Sequence, residues 1–163
     1  MTAPARDNPG ITWPPPLIPL AALLGGLVLD WLVPAHLLQI FLGFTTRLVM
    51  GALLVVAGAA LMVAAGHAFK AARTNIPPWK PALALVTAGV YSYVRNPMYV
   101  SFGLITAGLA CALASDWTLA LMVPAALLLH YGVVLREERY LEAKFGTAYR
   151  DYKAAVPRYG WPG

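Results

Sequence analysis

Four apolar stretches, at residues 17–33, 48–69, 97–114 and 117–135, confine almost all of the chain's charge to the segments between and after them. Runs of this length and composition cannot each be wrapped inside a small water-soluble domain. A helix needs about 20 apolar residues to cross a bilayer, and in lipid only structures that satisfy every backbone hydrogen bond internally can span. The chain of 163 residues is 60% hydrophobic and 12% charged, with a mean hydropathy of +0.65. These observations predict an all-α integral membrane protein with about four transmembrane helices. Residues 1–16, rich in proline and with Arg6 as their only basic residue, read as a flexible lead-in. No signal-peptide pattern precedes the first run, which is expected to stay as a helix. Residues 17–163 form one domain.

The net charge of +5 could suggest nucleic acid, but ten of the twelve basic residues lie in polar segments on what would be one side: Lys70, Arg73, Lys80, Arg95, Arg136, Arg139, Lys144, Arg150, Lys153 and Arg158. The positive-inside rule produces this clustering, and anionic lipid headgroups account for it without nucleic acid. Four spans then put both termini and the loop at 70–96 on the cytoplasmic side, in the inner membrane if the source is bacterial. Three scattered histidines and the single Cys111 show no metal-ligand spacing.

Between the first two runs, Ala35 to Thr46 reads as a bent or interfacial connector. The second run carries Gly51, Ala57, Gly58, Ala59, Ala60, Ala64, Ala65 and Gly66, a density of small residues that lets helix backbones approach closely in lipid. The loop at 70–96 is broken by Pro77, Pro78 and Pro81, too long for a mere connector, and holds Trp79 and Leu83 to Val86. Asn96 and Pro97 suit the N-cap and first residue of the third helix. Ser115 and Asp116 turn the chain into the fourth, which Pro124 is expected to kink, so the last two spans form a helical hairpin. Beyond Leu135, Leu141, Phe145, Tyr149 and Tyr152 recur at helical spacing among charges. This is the pattern of a cytoplasmic amphipathic helix at the membrane surface, within the C-terminal segment 136–163.

The loop, the hairpin mouth and the C-terminal segment bring polar groups to one place: Thr74, Asn75, Tyr91, Arg95, Asn96, Tyr99, His130, Arg136, Glu137 and Glu138. Mutual satisfaction is the simplest account, Arg95 pairing with a glutamate for example. One ion pair, however, needs neither three tyrosines nor a second glutamate.

The ordered set Gly89 and Tyr91, then Arg95, Asn96, Pro97 and Tyr99, a hairpin, then Glu137, Glu138 and Leu141, and finally Phe145, Gly146, Tyr149 and Tyr152 resembles the isoprenylcysteine carboxyl methyltransferase and phospholipid methyltransferase family. The resemblance covers roughly residues 74–160. It implies a membrane-embedded, S-adenosylmethionine-dependent methyltransferase. Its cofactor would lie against Leu83, Ala84, Leu85, Val86, Tyr91, Asn96, Pro97, Met98, Tyr99 and Glu137. A helix N-terminus offers backbone N–H groups to the ligand's carboxylate, and tyrosine rings suit a sulfonium. Arg95 and Glu138 are the candidate catalytic pair, one positioning an anionic substrate and the other acting as a base, with His130 and Arg136 toward the substrate.

The acceptor stays open among an isoprenylcysteine-like carboxylate, a phospholipid amine and a thiol. The prenylcysteine enzymes orient their substrate with an arginine one turn before the acidic pair, where this chain has Val133. Two other readings compete: an NADPH-dependent membrane reductase of the sterol reductase type, suggested by Val156 and Pro157 after a charged helix, and a non-enzymatic membrane scaffold.

Overall fold

A computed structural model describes residues 7–160; Arg6 and the rest of residues 1–6 lie outside the described residues. Every regular element among the described residues is helical: α1 (Leu17–Leu32), α2 (Leu37–Phe41), α3 (Phe44–Ala71), α4 (Pro97–Leu113), α5 (Asp116–Leu129), a π turn (His130–Val134), α6 (Leu135–Phe145) and α7 (Thr147–Ala155). Two helices are long and apolar enough to cross a membrane, α3 and the continuous helix Asp116–Phe145, whereas α1 and α4 are apolar but shorter. The connector at 35–46 contains the short α2.

The second run is longer than its apolar core suggests, because α3 begins at Phe44 and carries Arg47 and Lys70 within its ends. The fourth run does not stop where the charges begin. Pro124 sits inside α5 without ending it, and the helix continues through the π turn into the charged α6. No residue between 125 and 145 forces a break. Gly146, at φ +56, supplies one, so the amphipathic tail comes as two helices, α6 and α7.

The helices of the bundle turn many of their large apolar side chains outward. Phe41, Phe44, Leu53, Val56, Val63 and Val123 are exposed, while the buried set is dominated by small residues such as Ala65, Ala110, Ser101 and Thr118. The first group is suited to lipid; the second permits close helix contact. A Cβ on Gly51 would stand 2.6 Å from the Gly108 carbonyl oxygen, and one on Gly108 would stand 2.7 Å from that of Gly51. The glycines therefore hold α3 and α4 backbone to backbone. Gly26 of α1 backs onto Thr118 of α5 in the same way.

At one end of the bundle, the α4–α5 turn collects a polar knot. Ala114 closes α4 in the left-handed region, and Ser115 caps α5 by accepting from the Thr118 backbone N–H at 3.2 Å. The Ser115 hydroxyl also hydrogen-bonds the Asp30 carboxylate of α1. Asp116 accepts from the backbone N–H groups of Leu37 and Leu38 at 2.9 and 3.0 Å, anchoring α2. Within the lead-in, the described residues 7–16 pack against the fold: Ile11 is buried against Leu129 and Val133, and Asp7 pairs with Lys144 at 2.6 Å.

Candidate active site

At the other end, the loop after α3 is held by its own polar side chains. Thr74 Oγ1 accepts from the N–H groups of Leu83 and Ala84 at 2.8 and 3.2 Å, Asn75 donates to the Pro81 carbonyl at 2.9 Å, and the Ala82 N–H donates to the Tyr140 hydroxyl at 2.9 Å. These bonds satisfy a proline-broken segment that has no helical ladder of its own. A one-turn 3₁₀ helix, Gly89–Ser92, then buries Tyr91, whose ring meets Phe69 of α3 edge-on at 5.5 Å.

The C-terminal segment locks onto this loop. Tyr152 of α7 donates to the Tyr91 carbonyl at 2.7 Å. The N–H groups of Arg95 and Asn96 donate to the carbonyls of Pro157 and Arg158 at 3.0 and 3.2 Å. Asn96 stands at the N-cap of α4 ahead of Pro97, but its side chain does not cap the helix. It donates instead to the Arg158 carbonyl at 3.3 Å, tying the helix start to the tail.

Glu138 sits at the junction, with a side chain 7% exposed. It accepts from Arg95 at 2.8 Å and from Arg158 Nε and Nη2 at 2.8 and 2.7 Å. Burial alone would raise its pKa; the hydrogen bond from Arg158 and the charges of Arg95 and Arg158 outweigh burial and hold it below the usual carboxylate value. A carboxylate bound by two guanidiniums is a poor base. The geometry therefore gives Glu138 and Arg95 the mutual pairing that was the simpler of the two expectations.

Glu137, the neighbouring carboxylate, has no cation paired with it among the described residues. It lies beyond Leu135, past the apolar part of the helix, and accepts from the Tyr99 hydroxyl at 2.8 Å. Burial raises its pKa to about 7, Tyr99 partly opposing and Glu138 adding to the rise. Tyr149, also buried, is pushed up to about 12 chiefly by burial.

These groups surround a cavity of about 110 Å³. One wall is apolar, from Ala84, Leu85 and Val86 of the loop and Leu141 of α6; Tyr91, Tyr149 and Tyr152 form another; Arg95, Asn96, Met98 and Tyr99 bring the start of α4; and Glu137 and Glu138 close it. Two buried side-chain nitrogens lack a hydrogen-bond partner among the described residues, Arg47 Nε and Arg95 Nε. Only Arg95 of the two lines this cavity.

Not every expected residue is there. Leu83 is 64% exposed and Pro97 is fully buried; neither lines the cavity. Arg136 is exposed on α6, and His130 faces a separate groove, where its Nδ1 lies 2.9 Å from the Tyr159 hydroxyl. Sequence reasoning also counted Arg158 only as a charge and did not foresee its grip on Glu138. Among the described residues, no three His, Cys, Asp or Glu side chains converge to hold a metal ion.

The model of a family described as phospholipid methyltransferase matches residues 46–148 of this chain. A protein-S-isoprenylcysteine O-methyltransferase of Schizosaccharomyces pombe is 34% identical over 73 residues, a stretch that covers 45% of this chain and 31% of that protein. The chain thus aligns with less than a third of that relative's length. No solved structure matches it.

Proposed function

The chain belongs to the phospholipid methyltransferase family, and from that premise we propose that it is an S-adenosylmethionine-dependent methyltransferase of the membrane. It acts on a lipidic or small hydrophobic acceptor at the cytoplasmic face. Four spans, with both termini on the side where the basic residues gather, carry the site to that face.

The observation that most supports this reading is Arg95, whose side chain lines the cavity at the start of α4 and whose buried Nε has no hydrogen-bond partner among the described residues. A buried donor left unpaired is costly, and a carboxylate at a helix N-terminus satisfies both the donor and the helix dipole. Arg95 and the first residues of α4 would hold the carboxylate of the methionine moiety. Glu137 would take its ammonium or the ribose hydroxyls, and Ala84 to Val86 with Met98 would pack the adenine. The rings of Tyr91 and Tyr99 suit the sulfonium.

S-adenosylmethionine, when bound, supplies a methyl group on a sulfonium, an already activated leaving group. The chain's work is then to align an acceptor with that methyl and to exclude water. Tyr149, 2% exposed, and the tail that pairs with Arg95 and Asn96 close the cavity on the solvent side. Glu138 acts by holding Arg95 and Arg158 in register rather than by taking a proton.

Isothermal titration of the purified protein in detergent with S-adenosylmethionine tests the reading. Saturable binding that Glu137→Gln weakens supports it; no heat of binding up to high micromolar ligand removes it.

A further inference from the structure

A second, larger hollow of about 540 Å³ opens between α4 and the helix that runs through α5 and the π turn. Gly103, Leu104 and Ala107 face Ala126 and Leu127 across it. Where Gly51 and Gly108 press backbone on backbone, a Cβ on Gly103 would meet nothing within 4 Å. This is open space between the helices. Its polar lining comes from three side chains at one end, Tyr99, His130 and Tyr159.

That end abuts the cavity described above. Tyr99 lines both hollows, and its hydroxyl binds Glu137 inside the first. The π turn explains how one helix serves both. His130 and Glu137 are seven residues apart and would share a face on a regular helix; the extra residue of a π turn rotates one against the other. His130 is thereby turned to the groove and Glu137 to the cavity. The His130 ring is braced edge-on by Tyr131 at 4.8 Å, and its Nδ1 is engaged by Tyr159. Nε2 is the ring's remaining polar atom.

Among the described residues, no Lys, Arg, Asp or Glu lines the groove. The guanidiniums of Arg95 and Arg158 are both bound by Glu138. A carboxylate, phosphate or ammonium head in the groove would meet no Lys, Arg, Asp or Glu of the described residues, and a buried charge without such a partner is expensive. A neutral head carrying an X–H bond would find hydrogen-bond partners in His130 and the two tyrosines, and an apolar tail would lie along Leu104 and Leu127 between the helices.

Resting on the methyltransferase reading, we propose that this groove seats the acceptor. On this proposal the acceptor is an apolar-tailed molecule with an uncharged protic head, a thiol or a phenol, and His130 with Tyr159 is the pair that selects for that head.

Native mass spectrometry of the full chain in detergent, with no methyl donor present, reads the preference directly. The probes are n-decanethiol, 4-octylphenol, decanoate and decylamine at equal concentration. The thiol and phenol should give adducts at least about tenfold more abundant than either ion, the discrimination expected when a buried charge goes unpaired. His130→Leu and Tyr159→Phe should each shrink that ratio several-fold, and Leu104→Trp should lower all four adducts by filling the groove. Decanoate or decylamine binding as well as the thiol, a ratio unmoved by either polar variant, or adducts indifferent to Leu104→Trp would each overturn the proposal. Titration with S-adenosylmethionine separates the two readings. Donor binding without the groove preference defeats only the groove, and groove preference without donor binding removes the premise that its occupant is an acceptor.

Discussion

Both ends of the helical bundle bury a polar cluster, and the cluster at the loop end lines a cavity. At the α4–α5 turn, Asp30, Ser115, Thr118 and Trp117 use their groups on one another and on nearby carbonyls, Trp117 Nε1 reaching that of Val33 at 2.7 Å. Gly26 lies so close to Thr118 that a Cβ would clash with its backbone. At the loop end, Glu138 is as fully engaged, but around it Glu137 has no cation and Arg95 Nε no acceptor among the described residues, and both side chains line a cavity. Buried polarity by itself marks a staple between helices. Buried polarity left incomplete beside open space marks a place for a ligand.

The sharpest way to break the comparison is to remove the carboxylate on which the loop end depends. Glu138→Ala leaves two guanidiniums facing each other in a largely buried site, and deleting one partner of a buried pair costs about 3–5 kcal/mol. Thermal unfolding in detergent should show a large loss for this variant, with donor affinity lost alongside. A stability change of less than about 1 kcal/mol would mean that the tail is not fixed by this ion triad.

Glu137 should behave in the opposite way. Glu137→Gln removes no ion pair seen among the described residues, so its unfolding should stay near wild type below about pH 4.5, where Glu137 is protonated, while donor affinity at pH 8 falls at least about tenfold, as for a lost hydrogen bond to a charged group. The pH dependence carries the same signature. Burial lifts this carboxyl from 4.5 to about 7, so the folded state takes up a proton that the unfolded chain releases. Its contribution to stability is full below about pH 4.5 and is lost as pH rises through about 7. Donor binding by the ionised carboxylate runs the other way, gained as pH rises through about 7, and the variant should lack both slopes. A pH-independent difference between the two proteins would mean that Glu137 does not titrate in this range.

The closed end gives the control. Asp30→Ala removes the carboxylate that the Ser115 hydroxyl and the Trp117 N–H donate to and leaves Ser115 its bond to Thr118, a cost of about 1.5–3 kcal/mol for a lost hydrogen bond to a charged group. Donor affinity should be unchanged. A loss of binding here would show that the two ends are coupled through α4 and α5.

How far the two ends were legible in the sequence differs for the same reason. The hairpin, the small-residue stripe and the start of α4 are written in local patterns: apolar runs, glycine spacing, and Pro97 after Asn96. Tyr91, Tyr99 and Glu137 stood out because polar residues at the mouth of an apolar helix need partners. Local pattern fails where a partner is distant in the chain. Arg158 reads as one more basic residue until the tail is folded back on Arg95 and Asn96. Ile11, in a stretch that composition marks as a lead-in, is buried against Leu129 and Val133, and one isoleucine among prolines carries no periodic signal. The side chain of Asn96, ideal for capping by residue type, is drawn off by the Arg158 carbonyl. The π turn was invisible because a single glycine, Gly132, in His130 to Val134 is tolerated within a helix and does not by itself mark a change of winding. Yet it decides that His130 and Glu137 face different hollows.

The smallest expected effect probes how the tail supports the cavity without contributing charge. The Tyr152 hydroxyl donates to the Tyr91 carbonyl, and the Tyr91 ring both lines the cavity and packs on Phe69. Tyr152→Phe keeps the ring and deletes one neutral hydrogen bond, a loss of about 0.5–1.5 kcal/mol. If the tail only stabilises the fold, unfolding should shift by that amount and donor affinity should not move. If it sets the position of the Tyr91 turn, affinity should drop a few-fold at unchanged protein folding, because the wall that Tyr91 presents would loosen while Arg95 and Glu138 still hold the tail. The second outcome is expected, since α7 reaches the loop through this bond at a point where the 3₁₀ turn is a single turn long.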